Sequence, residues 1–367
     1  MSGLLGSEKA LDRRLFLCGL GSFFLPIARS SQATNAPGYL ACCRTKSGEY
    51  GAAVISSDLE ILHIEPLDAR GHDAALSPNG DLAVVFARRP GRFAVVIDVV
   101  TRNRRFAFAP PEGRHFYGHG FFSTDGKLLF ATENDYENER GELGIYDATN
   151  GFSRVGAFDT GGIGPHEALI LSDGKTIAIA NGGIVTHPDF PRQKLNLATM
   201  SPSLSLVDIE TGGLIENAAL PPHFHQLSIR HMAEAGDGSI WFGGQYEGAV
   251  TDEVGLVGVY RRGDGIELIE APAPLYRRMN QYIGSVSADR SGEFIATTSP
   301  RGGQVIVWDA ARKRPARVFD RPDISGVAAS RGSFLFSDGQ GGLLRGGSIT
   351  ESGLQWDNHM LSIAAGR

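Results

Sequence analysis

The feature that most constrains the fold of this chain is a unit of about 45 residues that recurs along it, a period typical of β-propellers and solenoids. In each unit a short strand leads into a tight turn that ends in glycine, and two apolar strands follow, the second often closed by Asp. Asn-Gly and Asp-Gly between apolar runs are strong hairpin signals. The turn glycines are Gly80, Gly126, Gly174, Gly238, Gly292 and Gly332.

The two ends of the repeat region supply a seventh unit. Strand-like segments at 39–45, 50–56 and 60–66 lack a first strand, and the segment 355–363 has the pattern of that missing strand. Pairing them would close a ring and remove its exposed sheet edges. We therefore predict an all-β fold, a seven-bladed β-propeller of the WD40 or YVTN type, as a single domain over residues 37–367 with a long insertion at about 181–202.

Composition agrees with a turn-rich β-protein. The chain has 48 glycines among 367 residues, nearly twice the average frequency of about 7%. The formal net charge is −6, and no basic patch stands out in the body of the sequence. Nucleic acid is therefore not expected as a partner.

The first 36 residues have the pattern of an export signal. Arg13 and Arg14 stand in a twin-arginine motif, and the apolar run that follows is too short to span a bilayer. Cys18 in that run is preceded by bulky residues, which argues against a lipid anchor. We predict export by the twin-arginine translocase, cleavage after Ala33, periplasmic localisation and no membrane anchor.

Only Cys42 and Cys43 remain after such cleavage. Adjacent residues of a strand point to opposite faces, so the two thiols should not form a disulfide with each other. We interpret them as small strand residues, with metal ligation or reactivity as the alternatives.

Five of the ten histidines fall at one position of the repeat. Four lie seven or eight residues before a turn glycine, and the fifth begins the C-terminal strand. They are His72, His119, His166, His231 and His359. Gly284-Ser285 and Ile324-Ser325 take this place in the other two units. Because the first strand of a blade lines the central channel, we expect these side chains to face one another at the channel mouth.

Three interpretations of these histidines are open. Imidazole is the commonest protein ligand for transition metals, so the ring suits iron, copper or haem. A structural histidine that hydrogen-bonds a neighbouring blade would be copied by duplication without any ligand. Metal-free catalysis or binding of an organic ligand is the third. Five blades should span an arc wider than one metal's coordination shell, so that either three histidines converge or a larger cofactor is held. No catalytic residue can be assigned; residues that could join the histidines are Asp73, Tyr117, Glu167, His187, Asp189, Arg230 and Asp357.

An acidic run follows the strand-like segment 128–132. Its members are Glu133, Asp135, Glu137, Glu139 and Glu142. Carboxylates at this density can bind calcium, but we interpret the run as an exposed, solvated loop.

Several strings resemble a bacterial family catalogued as domain of unknown function 1513. They are Tyr117-Gly118-His119-Gly120, Gly164-Pro165-His166-Glu167, Asn181-Gly182-Gly183-Ile184, Met200-Ser201-Pro202-Ser203-Leu204 and Gln226-Leu227-Ser228-Ile229-Arg230-His231. The resemblance covers essentially the whole predicted mature chain and implies a propeller exported by the twin-arginine pathway. Members are often encoded beside imelysin-type iron-uptake proteins and dihaem proteins, which implies such partners and a part in periplasmic iron acquisition. It implies no activity.

These observations lead to two expectations about function. The first is a periplasmic binding or scaffold protein linked to iron acquisition, with a histidine-rich channel mouth that binds metal or haem. The second is a periplasmic metal-dependent enzyme of the oxidoreductase type that uses the same histidines.

Overall fold

The computed structural model describes residues 36–89, 91–190 and 193–363. These residues form 28 strands in seven four-stranded antiparallel sheets. The predicted export signal, with Arg13, Arg14 and the cleavage position after Ala33, lies outside the described residues. The strands of the first four blades are β1 (Pro37–Arg44), β2 (Tyr50–Ser56), β3 (Ile61–Leu67), β4 (Gly71–Leu76), β5 (Leu82–Ala87), β6 (Ala94–Asp98), β7 (Asn103–Phe108), β8 (Arg114–Phe122), β9 (Leu128–Asp135), β10 (Arg140–Asp147), β11 (Ser153–Asp159), β12 (Pro165–Ile170), β13 (Thr176–Asn181), β14 (Ser203–Asp208) and β15 (Leu214–Ala219).

The remaining strands follow the same order. They are β16 (Leu227–Glu234), β17 (Ile240–Tyr246), β18 (Val257–Arg261), β19 (Gly265–Leu268), β20 (Ser285–Ala288), β21 (Phe294–Ser299), β22 (Gln304–Asp309), β23 (Arg314–Asp320), β24 (Ile324–Ser330), β25 (Ser333–Asp338), β26 (Gly342–Arg345), β27 (Ser348–Glu351) and β28 (Gln355–Ser362). The helical elements of the described residues are two 3₁₀ turns, Leu197–Thr199 and Pro222–Phe224, and the helix α1 (Ala273–Arg278). None of the helices in these residues is long and apolar enough to cross a membrane.

The sheets confirm the predicted seven-bladed β-propeller. Blade 1 has the strand order β28-β1-β2-β3, so the C-terminal strand closes the ring as expected. Blades 2 to 7 each use four consecutive strands, from β4–β7 to β24–β27. The innermost strands are therefore β28, β4, β8, β12, β16, β20 and β24, and each contacts the next one around the channel.

The closing strand is held by pairing and by apolar packing. Leu40 and Ala41 of β1 pair with Leu361 and Met360 of β28. Trp356 of β28 is buried in a cluster that also contains residues of blade 7. Because burial of one large side chain stabilises by about 2–3 kcal/mol, this contact makes β28 an integral part of the ring.

The direction of the strands decides which loops share a face. In an antiparallel four-stranded blade, the connection from second to third strand and the connection to the next blade emerge on one face, here called the upper face. The turn glycines lie between first and second strands, on the opposite face, and all six have positive φ. The segment 182–202, between β13 and β14, therefore belongs to the upper face.

The two cysteines of β1 are buried and unpaired. Burial raises the pKa of the Cys43 thiol to about 12, with a smaller contribution from the charge of Asp357. A thiol in this state is a poor ligand and nucleophile, in agreement with its interpretation as a small strand residue.

The acidic run is not the solvated loop that we expected. Glu137 and Glu139 are exposed, but Glu133, Asp135 and Glu142 are buried. Glu133 of β9 pairs directly with Glu142 of β10, and two arginines neutralise them. Arg114 binds Glu142 at 2.7 Å and Arg154 binds Glu133 at 2.9 Å. The sequence missed this arrangement because both arginines come from other strands of the sheet.

Candidate metal centre

The five histidines lie on the inner strands of five consecutive blades. His359 is in β28 of blade 1, and the other four are in β4, β8, β12 and β16 of blades 2 to 5. In each of these strands the pairing register shifts at or beside the histidine. A β-bulge of this kind turns a side chain away from its regular direction and is common beside functional sites.

Gly118 shows how closely the strands approach at this point. Its φ is +107°, and a Cβ at this position would lie 2.5 Å from Cδ2 of His72. A larger residue would therefore push His72 away from β8. Only glycine combines this backbone conformation with the required space.

The five rings form one compact cluster, here called the hub histidines. Neighbouring rings are separated by 4.9 Å between His72 and His119, 5.1 Å between His119 and His166, and 4.6 Å between His166 and His231. His359 lies 4.5 Å from His231 and 4.6 Å from His72. The rings are closer than we expected for an arc of five blades, because the inner strands converge and the bulges direct the side chains to a common point.

The donor nitrogens fall into two overlapping triads. His72, His119 and His166 form one, and His119, His231 and His359 form the other; in each triad the donor atoms lie within 4.8 Å of one another. Tetrahedral nitrogen ligands at 2.0–2.1 Å from zinc lie about 3.4 Å apart. A contraction of up to about 1.4 Å would therefore bring either triad to bonding distance of one ion.

Three of the hub histidines are held at Nδ1. His119 donates from Nδ1 to Oδ2 of Asp73 at 2.9 Å, and His231 donates to Oε2 of Glu167 at 3.2 Å. His359 Nδ1 lies 3.2 Å from the hydroxyl of Ser285. Metal-binding histidines usually donate their second ring nitrogen to a carboxylate or another acceptor, which fixes the ring and leaves the other lone pair free.

Four ring nitrogens in the cluster lack a hydrogen-bond partner among the described residues. They are Nδ1 of His72, Nε2 of His119, Nδ1 of His166 and Nε2 of His359. A buried polar atom without a partner destabilises the fold by about 1–3 kcal/mol. Four such atoms in one cluster are exceptional, and they mark the place where a ligand would satisfy them.

The electrostatics of the cluster favour neutral imidazole. Burial, and secondarily the neighbouring histidines and arginines, lowers the pKa of His72, His166, His231 and His359 well below 6.5. Burial also lowers the pKa of His119, but the hydrogen bond and charge of Asp73 outweigh it and the net direction is upward. Neutral imidazole is the form that binds metal.

The chain matches, over residues 65–363, a family model described as "Protein of unknown function (DUF1513)". It belongs to this family. The matched region of the DUF1513 chain includes all five hub histidines and both triads. No curated protein matches it.

Among solved structures, the DUF1513 chain is similar to a hydrazine synthase from Kuenenia stuttgartiensis. The identity is 15% and the TM-score 0.57, and the match covers 85% of this chain and 96% of that chain. At this identity the likeness shows the propeller fold alone.

The other residues singled out from the DUF1513 sequence lie in different places. Glu167 holds His231 and also accepts the Met232 amide at 2.9 Å, and burial raises the pKa of its carboxyl. Tyr117 is buried with its hydroxyl 3.4 Å from that of Thr186. Arg230 fills the bulge directly before His231.

His187 and Asp189 are not part of the hub. The His187 ring lies 5.0 Å from the ring of Tyr136, and its Nδ1 is 3.7 Å from the exposed carboxylate of Asp189. The insertion therefore does not bring these two side chains over the hub histidines.

A cavity of about 920 Å³ opens on the upper face above His72 and His166. The sequence showed no basic patch, but six cationic side chains line this cavity: Arg70, Arg88, Arg89, Lys194, Arg230 and Arg301. Except for Arg230, each follows the second or fourth strand of a blade, and these connections share the upper face. The blade periodicity could therefore have located them, although they are far apart in the sequence.

Proposed function

We propose that this DUF1513 propeller is a periplasmic metal-binding protein that holds a transition-metal ion, iron or copper, in its hub histidines and takes part in iron acquisition. The observation that carries the proposal is the set of four unpartnered ring nitrogens in one cluster. Two of them, Nε2 of His119 and Nε2 of His359, belong to imidazoles that are already held at Nδ1.

A purely structural role accounts for only part of this arrangement. His119 and His231 do hydrogen-bond neighbouring blades, through Asp73 and Glu167. These contacts use one nitrogen of each ring. They do not satisfy Nε2 of His119, nor the buried Nδ1 atoms of His72 and His166.

The donor set narrows the kind of ligand. Imidazole suits copper, iron, zinc and nickel, and the clustered donor groups of the described residues include no cysteine. Copper binds most strongly to such donors, whereas the resemblance to a family often encoded beside iron-uptake proteins favours iron. A haem iron accepts at most two axial side chains, and three imidazoles converge in each triad, which favours a bare ion over haem.

The location and the partners belong to the same proposal. Arg13 and Arg14 support export by the twin-arginine pathway, which carries folded proteins whose cofactor is inserted before export. The expected partners are an imelysin-type or a dihaem periplasmic protein. A metal ion at the hub would be accessible to a partner from the upper face, where the cavity opens.

A metal-dependent oxidoreductase is the second candidate. It is favoured by the cavity, because an ion held by three histidines with an open side toward His72 and His166 has a free coordination position. Catalytic metal sites commonly keep such a position, whereas purely structural sites are closed.

The test is the metal content of protein purified from the periplasm. The proposal predicts a stoichiometric first-row metal that is lost in His119→Ala, because His119 belongs to both triads. The matched control is His223→Ala, which removes an imidazole outside the hub at the 3₁₀ turn Pro222–Phe224. Metal-free wild-type protein that also fails to bind added iron or copper would contradict the proposal. Equal metal loss in both variants would do the same.

A further inference from the structure

The walls of the upper cavity carry an excess of positive charge. Six cationic side chains line it, and two buried carboxylates, Asp357 and Glu247, stand behind them. Asp357 binds Arg70 and lies 3.1 Å from Arg88. Glu247 binds Lys194 and lies 3.7 Å from Arg230. This concentration of cations contrasts with the net charge of −6 for the chain.

Two of the arginines form no ion pair with a carboxylate among the described residues. Arg301 stacks on the ring of Tyr282 at 4.7 Å and forms no ion pair. Arg89 forms neither an ion pair nor a hydrogen bond within residues 36–89, 91–190 and 193–363, although it is only partly exposed. Arg230 adds an unpartnered buried Nε. Cations held together in this way repel one another unless an anion lies between them.

The electrostatic environment of Arg89 also indicates that the cavity would accept a negative charge. Burial lowers the pKa of the Arg89 guanidinium, and the charge of Arg88 adds to the effect. A nearby negative charge would therefore stabilise the charged form of Arg89.

The chemistry of the walls defines the class of ligand. Guanidinium groups bind carboxylate and phosphate in a planar, two-pronged geometry. Tyr282 and Gln245 add neutral polar groups to the same cavity. A volume of about 920 Å³ lies in the range of small-molecule sites and is too small for a folded partner.

We infer that this cavity binds a small ligand with two or more carboxylate or phosphate groups. Because His72 and His166 form part of the same wall, an oxygen of this ligand can complete the coordination of an ion at the hub. The coordination step rests on the proposed metal function, whereas binding of the anion depends on the arginines alone.

The experiment measures binding of citrate, pyrophosphate and inorganic phosphate by titration calorimetry, with metal-free and metal-loaded protein. Wild-type protein should bind a ligand with several anionic groups more tightly than inorganic phosphate, and the affinity should fall as salt is added. Arg89→Gln and Arg301→Gln should each weaken binding about tenfold. Both changes preserve the ion pairs of the cavity, because Asp357 pairs with Arg70 and Arg88, and Glu247 pairs with Lys194 and Arg230.

The matched control is Arg317→Gln. Arg317 also stacks on an aromatic ring, that of Phe319 at 5.4 Å, but it lies on the outer strand β23. Its replacement should leave the affinity unchanged. Comparison of citrate with pyrophosphate then decides between carboxylate and phosphate ligands.

The outcomes separate this inference from the proposed function. Anion binding by a protein that never binds metal supports the inference and contradicts the metal function. Metal binding without anion binding supports the metal function and contradicts the inference. The inference is overturned if none of the three anions binds in either metal state, or if Arg89→Gln and Arg301→Gln bind them as wild type does.

Discussion

Five consecutive blades place an imidazole at the channel mouth, whereas the two blades that complete the ring place a serine there. Ser285 in β20 and Ser325 in β24 are as buried as His72, His119, His231 and His359, whereas His166 is half-buried. β20 pairs with β21 in regular register, whereas the register of β24 shifts between Ile324 and Gly326, so a bulge also occurs at a serine. The ring is therefore closed equally well by serine, and a propeller of this kind does not require histidine at the position.

Both serines contact β28, the strand that carries His359. The Ser285 hydroxyl lies 3.2 Å from Nδ1 of His359 in β28. The Ser325 hydroxyl lies 3.4 Å from the carbonyl oxygen of Asp357, which is also in β28. The serines have partners, whereas four histidine nitrogens have none within the described residues. This difference indicates that the unpartnered histidine nitrogens lower the stability of the fold, which is the behaviour expected of a binding site.

The largest expected difference between the histidine blades and the serine blades is in how the free energy of unfolding of metal-free protein depends on pH. Burial, with neighbouring charges second, lowers the pKa of His72, His166, His231 and His359. Below pH 6.5 the unfolded chain therefore binds more protons than the folded one, so stability decreases as the pH falls. Each histidine contributes up to about 1.4 kcal/mol per pH unit, or roughly 5 kcal/mol for four between pH 6 and 5. Urea unfolding from pH 8 to 5 measures this.

One substitution converts a histidine blade to the serine type for this test. His359→Ser should remove about a quarter of the part of the slope that the four hub histidines with a lowered pKa contribute, whereas Ser325→Ala should not change it. His115, whose pKa burial lowers to about 4, adds a background loss between pH 6.5 and about 4 in every variant. An unchanged slope in His359→Ser would contradict the prediction.

The next largest effect should be on metal affinity within the histidine blades. His119 belongs to both triads, whereas His72 and His231 each belong to one. His119→Ala should therefore weaken metal binding by more than about 100-fold, and more than either His72→Ala or His231→Ala. Competition with a chelator of known affinity measures the ranking. Equal losses at all three positions would show that the triads do not overlap at His119.

The carboxylates that hold the histidines should have an intermediate effect. Asp73→Asn leaves His119 in place but removes the charged acceptor at Nδ1. Loss of such a partner typically weakens metal binding by about 10–100-fold. Asp189→Asn is the matched control, because Asp189 lies beside a histidine outside the hub. If the control lost as much affinity as Asp73→Asn, the positioning role of Asp73 would be wrong.

The smallest effect is expected where the histidine blades and the serine blades meet. Ser285→Ala removes one neutral hydrogen bond to His359. Such a bond is typically worth about 0.5–1.5 kcal/mol, which corresponds to a loss of metal affinity of about two- to 13-fold. Ser325→Ala should have no effect, since Ser325 contacts a backbone carbonyl instead of a ring. A loss in Ser325→Ala equal to that in Ser285→Ala would mean that both serines act through the fold.

The sequence predicted the propeller and the register of the histidines, because both repeat once per blade. It could not predict that the rings touch, since their direction depends on bulges that have no clear sequence signal; Gly118 is the nearest to one. The ionic network around Glu133 and Glu142 was misread as solvated, because Arg114 and Arg154 reach it only through sheet pairing. The basic cavity was missed for a similar reason: Arg89 and Arg301 line the same cavity only when the ring closes.

X-ray absorption spectroscopy of protein loaded with one equivalent of copper or iron tests the central claim most directly. Convergence of the hub histidines predicts at least three imidazole nitrogens at about 2.0–2.1 Å, with the multiple-scattering features of histidine rings. The number of imidazoles should decrease in His119→Ala. A bound ion surrounded only by water or carboxylate oxygens would contradict the account.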